Sequence, residues 1–149
     1  MRSVKADELS DWEPVIIKST EAAATYLKRN WDAKRFLVQE EVYIMFLNCN
    51  NELLHYGLMS RGGTDACNFD IQIFLWEMSY HPLTKRVIIS HNHPGKNATP
   101  SDKDIHNTTK LNTILMLMGV KLVDHIIFSP TGYFSFCQVG MIKELPAQY

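Results

Sequence analysis

The sequence predicts a three-layer α-β-α domain, a mixed β-sheet held between helices, and one such domain over all 149 residues. Three observations predict it. Segments with helical spacing of apolar residues alternate with segments rich in β-branched and aromatic residues. Some strand candidates come in hairpin pairs while one stands alone between two helices, which calls for both antiparallel and parallel neighbours. The first strand candidate, "EVYIMFLN" (Glu41 to Asn48), is apolar on both alternating faces, as a strand covered from both sides must be.

The elements follow in order. "STEAAATYLKR" opens on the cap residues Ser19 and Thr20 and continues through alanines to Leu27, a helix. After the strand at Glu41, the turn residues of "NCNNE" lead into a return strand, "LLHYGLMS", which Gly62-Gly63 ends. "FDIQIFLWEMSYH" has apolar residues at 71, 74, 75 and 78 and stops before Pro82, so a second helix is expected there. "RVIIS" is a short buried strand. "SDKDIHNTTKLNTILMLMG" begins with a cap, places apolar residues at 105, 111, 114, 115 and 118, and ends at Gly119, a long amphipathic helix. "VKLVDHIIFS" and "YFSFC", joined by "SPTG", close the domain as a hairpin. No repeat, linker or low-complexity tract divides the chain; residues 1–18 are expected to form a loosely attached N-terminal extension.

Composition narrows the function classes. A hydrophobic share of 46% and an aromatic share of 11% describe an ordinary globular protein and argue against disorder. With a net charge of -1, nothing pulls the whole molecule toward nucleic acid or anionic lipid. The basic stretch "KRNWDAKR" is interrupted by Asp32 and is expected to be a solvated helix end. No segment approaches the ~20 apolar residues that span a bilayer, and the N-terminal "MRSVKADELSDWEP" lacks the apolar core of a signal peptide. Cys49, Cys67 and Cys137 are odd in number, widely spaced and free of any C-x-x-C pair, which predicts three partly buried thiols in a reducing cytoplasm.

The chemistry concentrates in "SHNHPGKNATPSDKD", Ser90 to Asp104, directly behind the apolar "RVII". Extending that strand through His91 and His93 puts both imidazoles on one side, because side chains alternate with period two. The place is the C-terminal end of a strand followed by a loop, where α/β folds open their ligand crevices. Asp104 falls in the first turn of the next helix. Two imidazoles and a carboxylate make a ligand set for a zinc ion with an open fourth position, which lowers the pKa of water to about 7. Taken alone, Ser101-x-x-Asp104 is also a capping-box-like helix start with Asp in place of Glu. The two roles are compatible, since Ser101 can cap while Asp104 turns toward a metal.

"HNHPGKNATPSDKD" resembles the H-x-H-P…P-S-x-x-D signature of the JAB/MPN (JAMM) metalloproteins, most closely the bacterial RadC group. "EVYIMFLNCNNELL" is similar to that group's strand-turn-strand segment and "LVDHIIFS…YFSF…G" to its C-terminal hairpin, so the likeness runs from about Thr20 to Met141. The resemblance implies a JAB/MPN, cytidine-deaminase-like fold and one Zn2+ per chain on His91, His93 and Asp104. It also implies a catalytic glutamate on an early strand. Glu40 and Glu41 are adjacent and face opposite ways, so only one can serve; the motif's acid before an apolar-aromatic pair matches Glu41-Val42-Tyr43. In the zinc hydrolase so implied, Glu41 accepts a proton from the attacking water and passes it to the leaving amine, while Ser101 donates to the oxyanion. Asp124-His125 matches the family's D-H pair, either a second shell that orients a ligand imidazole or two strand residues that satisfy each other. His55, His81 and His106 match no motif, and His106 is expected to face away from Asp104. Longer RadC proteins carry a helix-hairpin-helix region, which is not expected within this chain. Where the group usually has H-P-S-G this chain has His93-Pro94-Gly95-Lys96, and "GGTDACNFD" lacks the group's basic P-R element, so substrate contacts do not carry over.

The expected activity is hydrolysis of an amide or isopeptide bond in an unidentified protein or peptide-like substrate. The competing expectation is a non-catalytic RadC-like protein of DNA repair or DNA metabolism, which the family's usual label suggests and the charge does not support. A nucleobase deaminase would need H-x-E…P-C-x-x-C, and no C-x-x-C exists.

Overall fold

The computed structural model describes residues 13–62, 69–95 and 97–142. In chain order its elements are α1 (Thr20–Asn30), α2 (Ala33–Phe36), β1 (Glu41–Leu47), β2 (Leu53–Arg61), α3 (Ile71–Ser79), β3 (Arg86–Asn92), α4 (Asp102–Leu117), β4 (Lys121–Ser129) and β5 (Gly132–Ser135). The five strands form one sheet in the order β2-β1-β3-β4-β5. Only β3 and β4 run parallel, joined through α4; the other neighbours are antiparallel. The sheet is mixed, as the arrangement of hairpins and a lone strand requires.

Local chemistry sets the helix limits. Ser19 caps α1 by accepting from the Ala22 N–H, and Asp70 caps α3 by accepting from Gln72 and Ile73. Ser101 and Asp104 close a capping box at the start of α4. At its other end Gly119 takes φ 71°, with Gly119 N–H on Met116 O and Val120 N–H on Leu115 O, a Schellman turn that a side chain at 119 would strain.

Strand alternation sorts the core into two layers. Ile44, Phe46, Val87, Ile89 and Leu122 face one way and meet Phe74 and Met78 of α3 and Leu111 and Leu115 of α4. Met45, Leu47, Ile88, Ile126 and Phe128 face the other way and meet Ala23, Ala24 and Leu27 of α1 together with Trp31. Each fully buried large side chain contributes about 1.5–3 kcal/mol. The sheet between them makes three layers.

Four expectations change. Residues 15–17 are attached: Ile17 N–H donates to Asn51 O, Leu53 N–H donates to Val15 O, and Ile17 is buried. Asp32, read as a break in a helix end, caps the extra one-turn helix α2 through the Lys34 and Arg35 N–H groups. Cys49 and Cys137 are exposed rather than partly buried. The predicted strand at Tyr133–Cys137 begins at Gly132 and ends at Ser135. Cys67, Gly63, Lys96 and the residues before Glu13 lie outside the described residues. Among the described residues, no helix is long and apolar enough to cross a membrane.

Candidate metal centre

The candidate site forms where β1, β3, β4 and α4 meet. Val42 of β1 pairs with His91, so the residues of Val42's parity, including Glu40 just before the strand, share the face on which the His91 ring stands. His93 lies just past β3, and its N–H on Phe128 O at 2.7 Å extends the pairing with β4, which keeps its ring on the same side as His91. Asp104 enters from the first turn of α4. His91 Nε2 and His93 Nε2 are 3.0 Å apart. Asp104 Oδ1 is 3.3 Å from the first and Oδ2 is 3.2 Å from the second. His91 and Asp104 are only 2% and 6% exposed, so this polar cluster sits under protein rather than on the surface.

The hydrogen bonds around the cluster assign the imidazole tautomers. Thr108 donates its one hydroxyl proton to Asp104 O at 2.7 Å, so at 2.6 Å from His125 Nδ1 it can only accept. His125 therefore carries its proton on Nδ1. Complete burial, and then the nearby His91, push the His125 imidazolium far down, so the ring is neutral and its Nε2 is an acceptor. His91 Nδ1–H donates to that Nε2 at 2.7 Å, which leaves the His91 Nε2 lone pair aimed at the cluster. His93 does likewise: its Nδ1–H donates to Asn97 O at 3.0 Å and its Nε2 faces inward.

Two lone pairs 3.0 Å apart beside a carboxylate repel unless a proton or a cation lies among them. Burial alone would raise the Asp104 carboxyl, but once protons sit on the inward nitrogens, hydrogen bonds from His91 and His93, the charge of His91 and the Ser101 N–H outweigh it and hold Asp104 far below the usual carboxylate range. Asp104 in turn raises the affinity of His93 for a proton, against the opposing effect of burial. The same field favours a divalent cation. Ligands at ~2.0–2.1 Å around a tetrahedral zinc lie about 3.3 Å from one another; the two ring nitrogens are 3.0 Å apart, and each has its own Asp104 oxygen at 3.3 or 3.2 Å, close to that spacing. His91, His93 and Asp104 fit the ion.

The glutamate expectation is corrected. Glu41, fully buried, points to the opposite face, where Oε2 accepts from Arg61 Nε at 2.7 Å. Burial pushes its carboxyl up, against the opposing field of Arg35. Glu40 is the carboxylate on the site's face: its Oε1 lies 3.9 Å from His91 Nε2, and it groups with His91 and His93. That is too long for a direct hydrogen bond and suits contact through a water. Apolar residues on both faces of β1 concealed this parity from the sequence.

Ser101 Oγ accepts from the Asp104 N–H at 3.1 Å while its own proton remains able to donate, and the side chain is at the exposed rim. Asp124 and His125 separate. Asp124 turns to the α1 face, accepting from Thr20, Ser135 and the Cys137 N–H, and has no part in the cluster. His106 is exposed. Sequence reasoning missed two supporting residues. Thr108 lies four residues after Asp104, on the same side of α4, a spacing that could have suggested it. Asn92, the middle residue of His91-Asn92-His93, accepts from the Glu41 N–H at 2.7 Å and donates to Phe36 O and Gln39 O, each at 2.8 Å, which pins the chain on either side of Glu40. Nothing in the sequence marked it.

Comparison with known proteins agrees with this architecture. The family described as RadC-like JAB domain matches residues 17–141. A UPF0758 protein of Porphyromonas gingivalis is 33% identical over 107 residues, 71% of this chain and 47% of that protein. Another from Neisseria meningitidis serogroup B is 30% identical over 144 residues, 95% of this chain and 60% of its own. One from Fusobacterium nucleatum is 29% identical over 140 residues, 93% of this chain and 58% of its own. The chain spans about half the length of the curated relatives it matches. With the match covering every strand and helix of the sheet domain and every residue of the His-His-Asp cluster, the chain belongs to the RadC-like JAB domain family.

Proposed function

We propose that this domain is a zinc-dependent hydrolase of amide or isopeptide bonds, with His91, His93 and Asp104 as the metal ligands. The reading is carried by the two inward lone pairs and one carboxylate at tetrahedral spacing, with Glu40 set one water farther out. When bound, zinc supplies Lewis acidity, lowering the pKa of water and polarising a carbonyl. Everything else falls to the protein. Glu40 takes the proton of the attacking water and delivers it to the nitrogen of the departing amine, as one carboxylate can do for both halves of the reaction. Ser101 donates its hydroxyl proton to the oxygen that gains charge as the carbonyl carbon becomes tetrahedral. His125 and Thr108 keep the His91 lone pair turned inward, and Asn92 holds the strand entry that carries Glu40.

Metal analysis of purified protein should find zinc on the wild type and one equivalent less in His93→Ala and in Asp104→Ala. Screened against linear and isopeptide-linked peptide libraries, Glu40→Gln should keep the zinc and lose about 10²–10⁴-fold in turnover. Unchanged turnover in that variant would remove Glu40 from the mechanism. Salt-dependent DNA binding by a protein that cleaves no amide would favour a DNA-associated role instead.

A further inference from the structure

The sheet carries a second convergence of imidazole and carboxylate. His55 stands on the edge strand β2, Glu77 in the last turn of α3 and His81 two residues beyond that helix. One ligand atom from each lies within 4.8 Å of the others, and His55 Nε2 is 3.4 Å from Glu77 Oε1. His55 pairs with Phe46 of β1, whereas His91 pairs with Val42. Four residues along one strand are about 13 Å, so the two groups cannot share an ion.

Three features of the packing prepare this group for a metal. The His55 ring lies back over Gly57, where a Cβ would come within 2.6 Å of Nε2, so the absent side chain makes the ring's position available. The two imidazoles lie side by side, centroids 4.5 Å apart and planes 30° apart, on Phe46 at 5.4 and 5.6 Å. His81 N–H on Met78 O at 2.9 Å continues the last turn of α3, so Glu77 and His81, one turn apart, present their side chains together.

A plain His55–Glu77 ion pair accounts for the 3.4 Å contact alone. It does not account for the second imidazole, which lies beside the first and brings a third ligand atom within 4.8 Å of both partners. We propose that His55, Glu77 and His81 form a second divalent-metal site, which takes an imidazole-preferring first-row cation such as Zn2+ and ties the edge strand β2 to the C-terminal end of α3. Two imidazoles and a carboxylate are borderline ligands of the kind that prefers zinc, nickel or copper over magnesium or calcium. The present spread exceeds the ~3.3 Å between tetrahedral zinc ligands, so binding draws the side chains together; Glu77, with a side chain 30% exposed, has room to move. Water completes the coordination from the open side. An ion here closes the connection between β2 and α3 and stiffens the strand at the end of the five-stranded sheet.

The test needs no substrate and does not depend on the hydrolase reading. Zn2+ is titrated calorimetrically into the metal-stripped full chain and its variants. Wild type should bind two equivalents and His93→Ala one, and His93→Ala should still gain thermal stability on adding Zn2+. Adding His81→Ala to His93→Ala should abolish both the remaining equivalent and the gain. Glu77→Gln in the His93→Ala background should weaken that equivalent at least tenfold. Because Glu77 is partly exposed, this variant gives the answer even if His81→Ala does not fold. A single equivalent in wild type with none in His93→Ala overturns the proposal, as does residual binding indifferent to both His81→Ala and Glu77→Gln. Loss of turnover in Glu40→Gln bears only on the hydrolase reading.

Discussion

Two pairs of adjacent residues show how one sheet separates scaffold from site. On β1 and the residue before it, Glu41 turns toward Arg61 on the α1 face while Glu40 turns toward His91 on the α4 face. In β4, Asp124 binds Thr20, Ser135 and Cys137 on the α1 face while His125 binds His91 and Thr108 on the other. In the first pair the two side chains are identical, and in the second either polar side chain could stand behind a ligand imidazole. Their parity decides. A carboxylate on the α1 face joins elements to each other; one on the α4 face meets a cluster of lone pairs. If the division is real, substitutions on the first face change stability and leave metal binding alone, and those on the second do the reverse.

The largest stability effect should come from Asp124→Ala. Its oxygens accept at 2.6 Å from Ser135, 2.9 Å from Thr20 and 3.0 Å from the Cys137 N–H, and the residue is 1% exposed. Truncation leaves those donors without their acceptor and should cost about 3–5 kcal/mol, seen as a lower urea midpoint with an unchanged m-value. The folded fraction should still bind zinc at the His91 site. Loss of zinc from well-folded Asp124→Ala would break the division.

Next comes Thr108→Val, on the other face. It retains the shape and removes the acceptor that keeps the His125 proton on Nδ1. With that proton free to move to Nε2, His125 can donate to His91, which must then carry its own proton on the nitrogen that faces the metal. Zinc affinity at this site should fall roughly tenfold, in line with other partners behind a ligand imidazole. Competition with a chromophoric chelator reads it directly. Affinity equal to wild type would mean that Thr108 does not control the tautomer.

How much of this was legible in the sequence follows from which signals are local. Helix periods, caps and the Gly119 stop are local, and they located α1, α3 and α4, while apolar runs between turn residues located the strands along the chain. The one-turn helix α2 is too short to show a period, and its cap Asp32 resembles a break in a basic run. His91, His93 and Asp104 were legible because strand alternation and a helix start bring them together over fourteen residues of chain. Glu40 was not. Choosing it over Glu41 requires knowing which face of a doubly apolar strand looks toward α4, and that is settled by the pairing of Val42 with His91. The same holds for His55 and His81: no spacing links them, and only the packing of α3 against the edge of the sheet makes them neighbours.

The smallest effect in stability is the sharpest for the comparison, because it contrasts neighbouring glutamates. Glu41→Ala removes a side chain with no exposure, opens a cavity and strips Arg61 of its 2.7 Å partner. It should cost about 2 kcal/mol, a shift of some 4–8 °C in Tm for a chain of this size, with zinc content unchanged. Glu40→Ala removes a side chain at the edge of the cluster, 14% exposed, and should move stability by no more than about 0.5 kcal/mol. The two variants have the same composition and differ by one position along the backbone, so neither charge nor helix or strand propensity separates them. Only the direction in which the strand turns each side chain does. Equal melting temperatures for the two, or a zinc loss confined to Glu41→Ala, would mean that the faces are assigned the wrong way round and that Glu41 stands beside the metal after all.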